Sequence, residues 1–264
     1  MGPARRCDAR RVAEIVFLLL AGIAAGALNA AGGGGTFLAL PALVAAGLPP
    51  VTANAASTVA LVPGAVVGAW VYRREVVPVG VTSTTALTVT SMVGGAIGAG
   101  LLLALPSESF DVAVPWLLAF ATVVLAFGRR LSTLLRNAAG RTLRLGPRPI
   151  LIGQFVLAMY GGYFGGAVGI LMMALWGVGL GLDVAKSNPM RVRQLSAVYA
   201  TATVLFLVAS DVLAHPLPLL AMLVGGVAGG YGGAHLVRRL PPGILRGTIL
   251  VTAVTMTILY FLRG

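Results

Sequence analysis

Charge is scarce in this chain. Only 10% of its residues are charged, against about 25% in soluble domains. Its seven acids are scattered, and neither His-Glu-x-x-His nor Gly-x-Ser-x-Gly occurs. Gly179-Leu-Gly-Leu-Asp183 is one residue too long for the Gly-x-Gly-Asp of intramembrane aspartyl proteases. Cys7 is the only cysteine, which excludes an internal disulfide and a cysteine metal cluster. The two histidines, His215 and His235, stand in no ligand spacing. No enzyme, no catalytic residue, no metal and no cofactor is therefore expected.

Apolar residues and glycine are abundant. Hydrophobic residues make up 58% of the chain, against about 45–50% in soluble domains, and a soluble fold of this length has no place to hide them. Lipid must solvate much of the surface. The 36 glycines suit close helix approach where hydrophobic force between helices is weak, and pairs such as Gly22/Gly26, Gly94/Gly98 and Gly229/Gly233 have the i, i+4 spacing of such contacts. The net charge of +12 lies in short loops without interleaved aromatics. That pattern reads as membrane topology, with a weaker positive field for anions, and not as a nucleic-acid partner.

The chain also repeats itself. Gly94, Gly95, Gly98, Leu105 and Pro106 match Gly229, Gly230, Gly233, Leu240 and Pro241 at a constant offset of 135. One residue less aligns Gly32-Gly33-Gly34-Gly35 with Gly166-Ala167-Val168-Gly169, and Asn54 with Asn188. The organisation read from this is a basic tail (1–11), a first membrane repeat (12–127), a basic cytoplasmic linker (128–149) and a second membrane repeat (150–264).

Val12–Ala31, Val51–Tyr72, Val79–Leu105 and Val112–Phe127 are the long apolar runs of the first half. Ile150–Phe164, Pro189–Ser210, Pro216–Val237 and Gly243–Leu262 are those of the second. Thr36–Gly47 and Ile170–Leu182 rise only ~18–20 Å as helices, against a hydrocarbon core of ~30 Å. Each follows a glycine stretch and is read as the returning arm of a hairpin whose tip lies in the membrane, where irregular backbone must be buried or line a wet cavity.

A returning arm leaves three further crossings per half, so the second half is inverted. The rival, in which the short segments do not return, gives parallel repeats. The Lys/Arg distribution barely separates the two. The inverted form is preferred because its violations are confined to the termini. The fold class expected is thus an all-α integral membrane protein of two inverted repeats, each a glycine-tipped hairpin plus three spanning helices. Arg5–Arg11 before Val12–Ala31 permits a cleaved signal, but the alignment with Ile150–Phe164 argues for retention.

Asn29-Ala-Ala-Gly-Gly-Gly-Gly-Thr36 is the sharpest local signal. Four glycines in an apolar region suit backbone N–H groups that must point at a ligand. A helix beginning at Thr36 offers the positive end of its dipole to a small anion. No Gly-Lys-Ser/Thr follows, so this is not a nucleotide P-loop; a tight packing turn is the other reading. Asn54, Ser57 and Thr58, and Lys186, Ser187, Asn188, Arg191 and Gln194, are polar groups entering apolar segments, where such groups are paired, wet or functional. Lys186 is read as the cation at the cytoplasmic mouth, with snorkelling beside Asp183 as the alternative. Arg191 and Arg193 are read as topology charges. Tyr160 and Tyr163 precede the second tip and suit pore lining, Gln154 is a weaker candidate, and Trp70 and Tyr72 suit interface anchors.

At these residues the chain resembles the TauE/SafE sulfite exporter family. The resemblance rests on Gly26-x-x-Asn29-x-x-Gly-Gly-Gly-Gly with Pro41, on Ala53-Asn54-Ala-Ala-Ser57-Thr58, on Gly68-Ala-Trp70-x-Tyr72-Arg73-Arg74, on Tyr160-Gly-Gly-Tyr-Phe-Gly-Gly-Ala-Val-Gly169 and on Lys186-Ser-Asn188. The resemblance implies two repeats and outward transport of a small sulfur-containing anion such as sulfite, sulfoacetate or a related sulfonate. Ala167-Val168 stands where a glycine-richer run is common, and Gln194 where an Asn is expected.

The expected substrate-binding residues are Asn29, Gly32, Gly33, Gly34, Gly35, Thr36, Asn54, Ser57, Tyr160, Tyr163, Gly165, Gly166, Gly169, Lys186 and Asn188. The function expected is a secondary transporter of the inner (plasma) membrane, with the substrate between the repeats. An anion channel or a passive structural subunit is the alternative. The lipid bilayer and a small sulfur anion are the expected partners, and proton or ion coupling and homo-oligomer formation stay open.

Overall fold

The computed structural model describes residues 3–138, 145–182, 184–237 and 242–263. Linker positions 139–144, the proposed Lys186 partner Asp183, and Leu240 and Pro241 of the second glycine motif lie outside the described residues. Among the described residues the protein is all-α, with no strand. Its helices are α1 (Pro3–Gly32), α2 (Thr36–Ala45), α3 (Pro50–Val71), α4 (Thr84–Ala104), α5 (Ser107–Ala138), α6 (Pro147–Tyr163), α7 (Val168–Leu180), α8 (Val184–Ala209), α9 (Pro216–Val237) and α10 (Pro242–Arg263). A 3₁₀ turn, Asp211–Ala214, precedes α9.

Proline and glycine mark many boundaries. Pro50 and Pro147 open α3 and α6 from the first turn, where a missing N–H costs nothing. Gly181, left-handed at φ 68°, closes α7. Three helices reach beyond the apolar runs that signal them. α1 begins at Pro3, inside the basic tail, and α5 runs from Ser107 through the polar Ser107–Asp111 to Ala138, well into the linker. Glu108 in the first turn of α5 complements the positive helix end. α8 takes in Lys186, Ser187 and Asn188 before Pro189.

Six helices contain a stretch long and apolar enough to cross a membrane: Arg11–Ala30, Pro50–Val71, Thr84–Ala104, Ser107–Phe127, Lys186–Ala209 and Pro216–Gly233. α2, with 10 residues, and α7, with 13, are shorter.

Close contacts give the helix directions. Leu19, Ile23 and Ala27 of α1 meet Gly225, Gly229 and Gly233 of α9 in rising order, so these two run the same way. Ala60 and Gly64 of α3 meet Gly226 and Gly230 in rising order as well. α1, α3 and α9 therefore share one direction. On the other side Gly94 and Gly98 of α4 follow Phe155 and Met159–Tyr163 of α6, while Ser91 and Gly95 follow Gln194 and Val198 of α8, so α4, α6 and α8 share a direction too. Since α1 and α3 are parallel, α2 carries the chain back between them. α7 does the same between α6 and α8. Both glycine stretches are thus hairpin tips.

Within each of these two three-helix bundles the helices approach backbone to backbone: a Cβ at Gly22 would stand 2.5 Å from the Met222 carbonyl, and one at Gly95 2.9 Å from that of Val198. α5 and α10 pack together through a Thr122–Thr257 hydroxyl contact of 3.0 Å and an edge-on Trp116–Phe261 pair. Large apolar side chains such as Leu20, Trp116, Val204 and Val208 face outward, as lipid contact requires.

Candidate functional site

Both hairpin tips are built on left-handed backbone. Gly33 has φ 77° and donates its N–H to the Asn29 carbonyl at 2.9 Å; Gly165 has φ 83°. Ala167 is the one non-glycine residue with positive φ among those described, at 57°. It occupies the place where a glycine-richer run is expected and bears ~1–2 kcal/mol of strain for its Cβ. Neither α2 nor α7 has a side-chain N-cap.

The tips meet. A Cβ at Gly165 would lie 3.2 Å from Thr36 Oγ1 and 3.4 Å from the Tyr199 hydroxyl; one at Gly33 would lie 3.8 Å from Gly169 Cα. The Tyr199 hydroxyl donates to the Gly165 carbonyl at 3.2 Å and shares a hydrogen bond with Thr36.

Arg191 stands at this meeting point. It is 0% exposed. Its Nη1 lies 3.1 Å from where a Cβ would stand on either Gly33 or Gly169, one from each tip. Its Nε donates to Asn188 Oδ1 at 2.9 Å, and Nη2 reaches the Ala30 carbonyl at 3.5 Å, near the negative C-terminal end of α1. Nη1 has no partner. A buried guanidinium with one N–H edge unused carries a large desolvation penalty unless something anionic visits it.

The matching helix of the first half makes the complementary contact. Asn54 Nδ2 donates to the Tyr163 carbonyl, the last residue of α6, at 2.8 Å, while Asn54 Oδ1 has no partner. Each of α3 and α8 thus holds the broken end of the opposite hairpin.

Most residues expected from sequence converge here. Asn29, Gly33, Gly34, Gly35, Thr36, Asn54, Ser57, Gly165, Gly166 and Gly169 are buried around the two tips, and Gly32 is the last residue of α1. Ser57 donates to the Asn54 carbonyl. Asn188 is half-buried and orients Arg191. Tyr163 takes part through its carbonyl, its ring lying edge-on to Phe110 at 5.7 Å. Tyr160 lies between Phe120 and Phe164, with its hydroxyl unpartnered.

The basic residues of α8 are placed differently. Lys186, read as the cation at the cytoplasmic mouth, is exposed in the first turns of α8, and so is Arg193; Arg191, read with Arg193 as a topology charge, is the buried one. At 100° per residue Lys186 and Arg193, seven residues apart, share one exposed face of α8, and only Arg191 lies on the inward stripe with Leu195 and Tyr199. That i, i+4, i+8 spacing is the signal that finds both Arg191 and Tyr199.

Gln194 and Gln154 belong to a separate buried network. Gln154 Nε2 donates to Ser91 Oγ at 2.8 Å, Ser91 to Gln194 Oε1 at 3.0 Å, and Gln194 Nε2 to Thr88 Oγ1 at 3.2 Å. On the other side of the tips, a cavity of about 80 Å³ lies between α1, α3, α8 and α9. Asn29, Ala30, Leu61 and Leu195 line its inner part, and the more exposed Val67, Val71 and Tyr231 its outer part.

Six helices long and apolar enough to span define a multi-pass membrane protein. Within that class the chain belongs to the sulfite exporter TauE/SafE family, whose model matches residues 18–260. This is a family of membrane transporters of sulfur anions, not of enzymes. No curated protein and no solved structure matches the chain.

Proposed function

We propose that this protein is a secondary transporter of the inner (plasma) membrane that exports a small sulfur-containing anion, such as sulfite, sulfoacetate or a related sulfonate, by alternating access. The observation that carries this reading is the Arg191 guanidinium, buried between the two tips with Nη1 unused. The anion sits against Nη1, between the starts of α2 and α7, with Asn29, Asn54 and Asn188 around it. The low dielectric of this buried place strengthens the pull of its one positive charge on a negative one.

The working units are two inverted repeats, α1–α5 and α6–α10. Three features support this. α1, α3 and α9 run parallel, as do their repeat counterparts α6, α8 and α4. Thr122 and Thr257, which touch, are separated by 135 residues, the offset found in the glycine motifs. Asn54 and Arg191 each hold the opposite hairpin. With the linker cytoplasmic, the C-terminal end of α3 is cytoplasmic as well, and the cavity is the route by which the anion leaves the cytoplasm. Rocking of one three-helix bundle against the other then exposes the site outward.

Counterflow of labelled sulfite, sulfoacetate and thiosulfate in proteoliposomes tests this. Saturable exchange of at least one of them is expected. Flux that does not saturate identifies a channel, and absence of flux for all three contradicts the transporter reading.

A further inference from the structure

We propose that the species carried is a protonated monoanion, one negative charge together with one O–H, as in hydrogen sulfite, and not the fully ionised dianion. This rests on the transporter reading above and specifies the chemical form of its substrate.

The first argument is charge. Arg191 is the buried cation of the site; among the described residues Lys186 and Arg193 on the same helix are exposed. The helix ends at the tips cancel in pairs. The positive starts of α2 and α7 lie beside the negative ends of α1 and α6, whose Ala30 and Tyr163 carbonyls are already engaged by Arg191 and Asn54. The site therefore offers close to one net positive charge. A monoanion neutralises it. A dianion brings a second, uncompensated charge into a buried site, which is strongly unfavourable.

The second argument is hydrogen-bond complementarity. The site contains an unused donor, Arg191 Nη1, and unused acceptors, Asn29 Oδ1 and Asn54 Oδ1. Asn29 is 6% exposed and lines the cavity. Its main chain bonds Gly33, whose tip also borders Arg191 Nη1. A dianion has acceptors only and leaves both amide oxygens orphaned. A protonated oxyanion gives its oxygens to Nη1 and its O–H to an Asn oxygen, satisfying both kinds of group.

The titratable groups acting on Arg191, among the described residues, are the phenols of Tyr72, just past the end of α3, and Tyr199 on α8. The side-chain carboxylates of Glu14, Glu75, Glu108, Asp111 and Asp211 are all exposed. The proton thus travels on the substrate, and no protein carboxylate of the tips has to carry it.

The test is initial-rate counterflow of labelled sulfite at fixed total concentration across the second ionisation of sulfurous acid, near neutrality. Methanesulfonate, a monoanion at every pH used and without an O–H, serves as competitor. Above that ionisation the sulfite rate is expected to fall about tenfold per pH unit, in step with the monoanion fraction, while inhibition by methanesulfonate stays constant. Asn29→Leu is expected to weaken apparent sulfite affinity about tenfold and leave inhibition by methanesulfonate unchanged.

A sulfite rate that is flat or rises with pH, or competition by sulfate stronger than by methanesulfonate, overturns the monoanion inference and leaves the transporter reading intact. Equal loss of both ligands in Asn29→Leu overturns the role of its oxygen as acceptor. Saturable flux of sulfoacetate or thiosulfate, both dianions near neutrality, with none of sulfite overturns the monoanion inference, and absence of saturable flux for all three at every pH overturns the transporter reading itself.

Discussion

Two bundles of three parallel helices flank Arg191, and they are filled differently. Between α1, α3 and α9 lies the cavity, lined by Gly64, Ala65, Gly226 and Gly230. Between α4, α6 and α8 the interior is closed by the Gln154–Ser91–Gln194–Thr88 network. The repeat offsets pair Gly226 with Ser91, Ala60 with Gln194 and Ala65 with Tyr199. At these three pairs the open bundle carries a small residue and the closed one a hydrogen-bonding side chain. The same offset pairs Ser57 with Arg191, so the site's charge comes from one half alone. The lesson is that glycine spacing common to both halves provides the close-packed frame, whereas the residues that differ between them provide the opening, the seal and the charge.

Substitutions that break this comparison are expected to differ widely in effect. The largest concerns what the halves share. Gly33→Val forces a β-branched residue into left-handed backbone, and Gly169→Val puts a side chain against Arg191, 3.1 Å from its Cδ and Nη1. Either displaces the guanidinium by about an ångström, enough to cost about 100-fold in flux. Proteoliposome uptake, with gel filtration to show an intact protein, is the check.

Filling the open side comes next. Ala65→Tyr gives the first half the residue of the second and blocks the inner cavity. It is expected to slow entry from the linker side about tenfold, or about 1.4 kcal/mol of barrier, measured as initial flux in vesicles of known orientation. An unchanged rate would mean that the anion takes another path.

Opening the closed side is a matter of stability. Gln194→Leu leaves Ser91 and Thr88 short of a buried partner, at about 1–3 kcal/mol. A lower thermal midpoint in detergent is expected, with counterflow at low temperature nearly unchanged. The smallest effect belongs to Ala167→Gly, which relieves the φ of 57°. It is expected to raise the midpoint slightly, by about 1 kcal/mol or less once the added freedom of the unfolded chain is counted.

Much of this arrangement is legible in the sequence because its causes are local. Four glycines before Thr36 break a helix wherever they stand, and an apolar segment as short as Thr36–Ala45 does not span a bilayer. The extra turns of α1, α5 and α8 are not legible in that way, because an apolar run marks where lipid lies and not where a helix stops. The burial of Arg191 and not of Lys186 is hidden for the same kind of reason. Both are basic residues near the start of an apolar run, and topology rules treat them alike. Only the face of α8 on which each falls separates them, and which face points inward is decided by α3, α4 and α7 packing against it. Tyr199 was hidden for the same reason: within an apolar helix, a hydroxyl aimed at Gly165 looks like one more aromatic.

The most direct measurement is equilibrium binding of labelled sulfite to the purified protein in detergent, compared between the wild type, Arg191→Gln and Arg191→Lys. Binding is expected to vanish in Arg191→Gln, with the protein still folded and monodisperse, and to survive weakened in Arg191→Lys, which keeps the charge but not the planar fork. Wild-type affinity in Arg191→Gln would contradict the claim that the anion is held by Arg191 between the two tips.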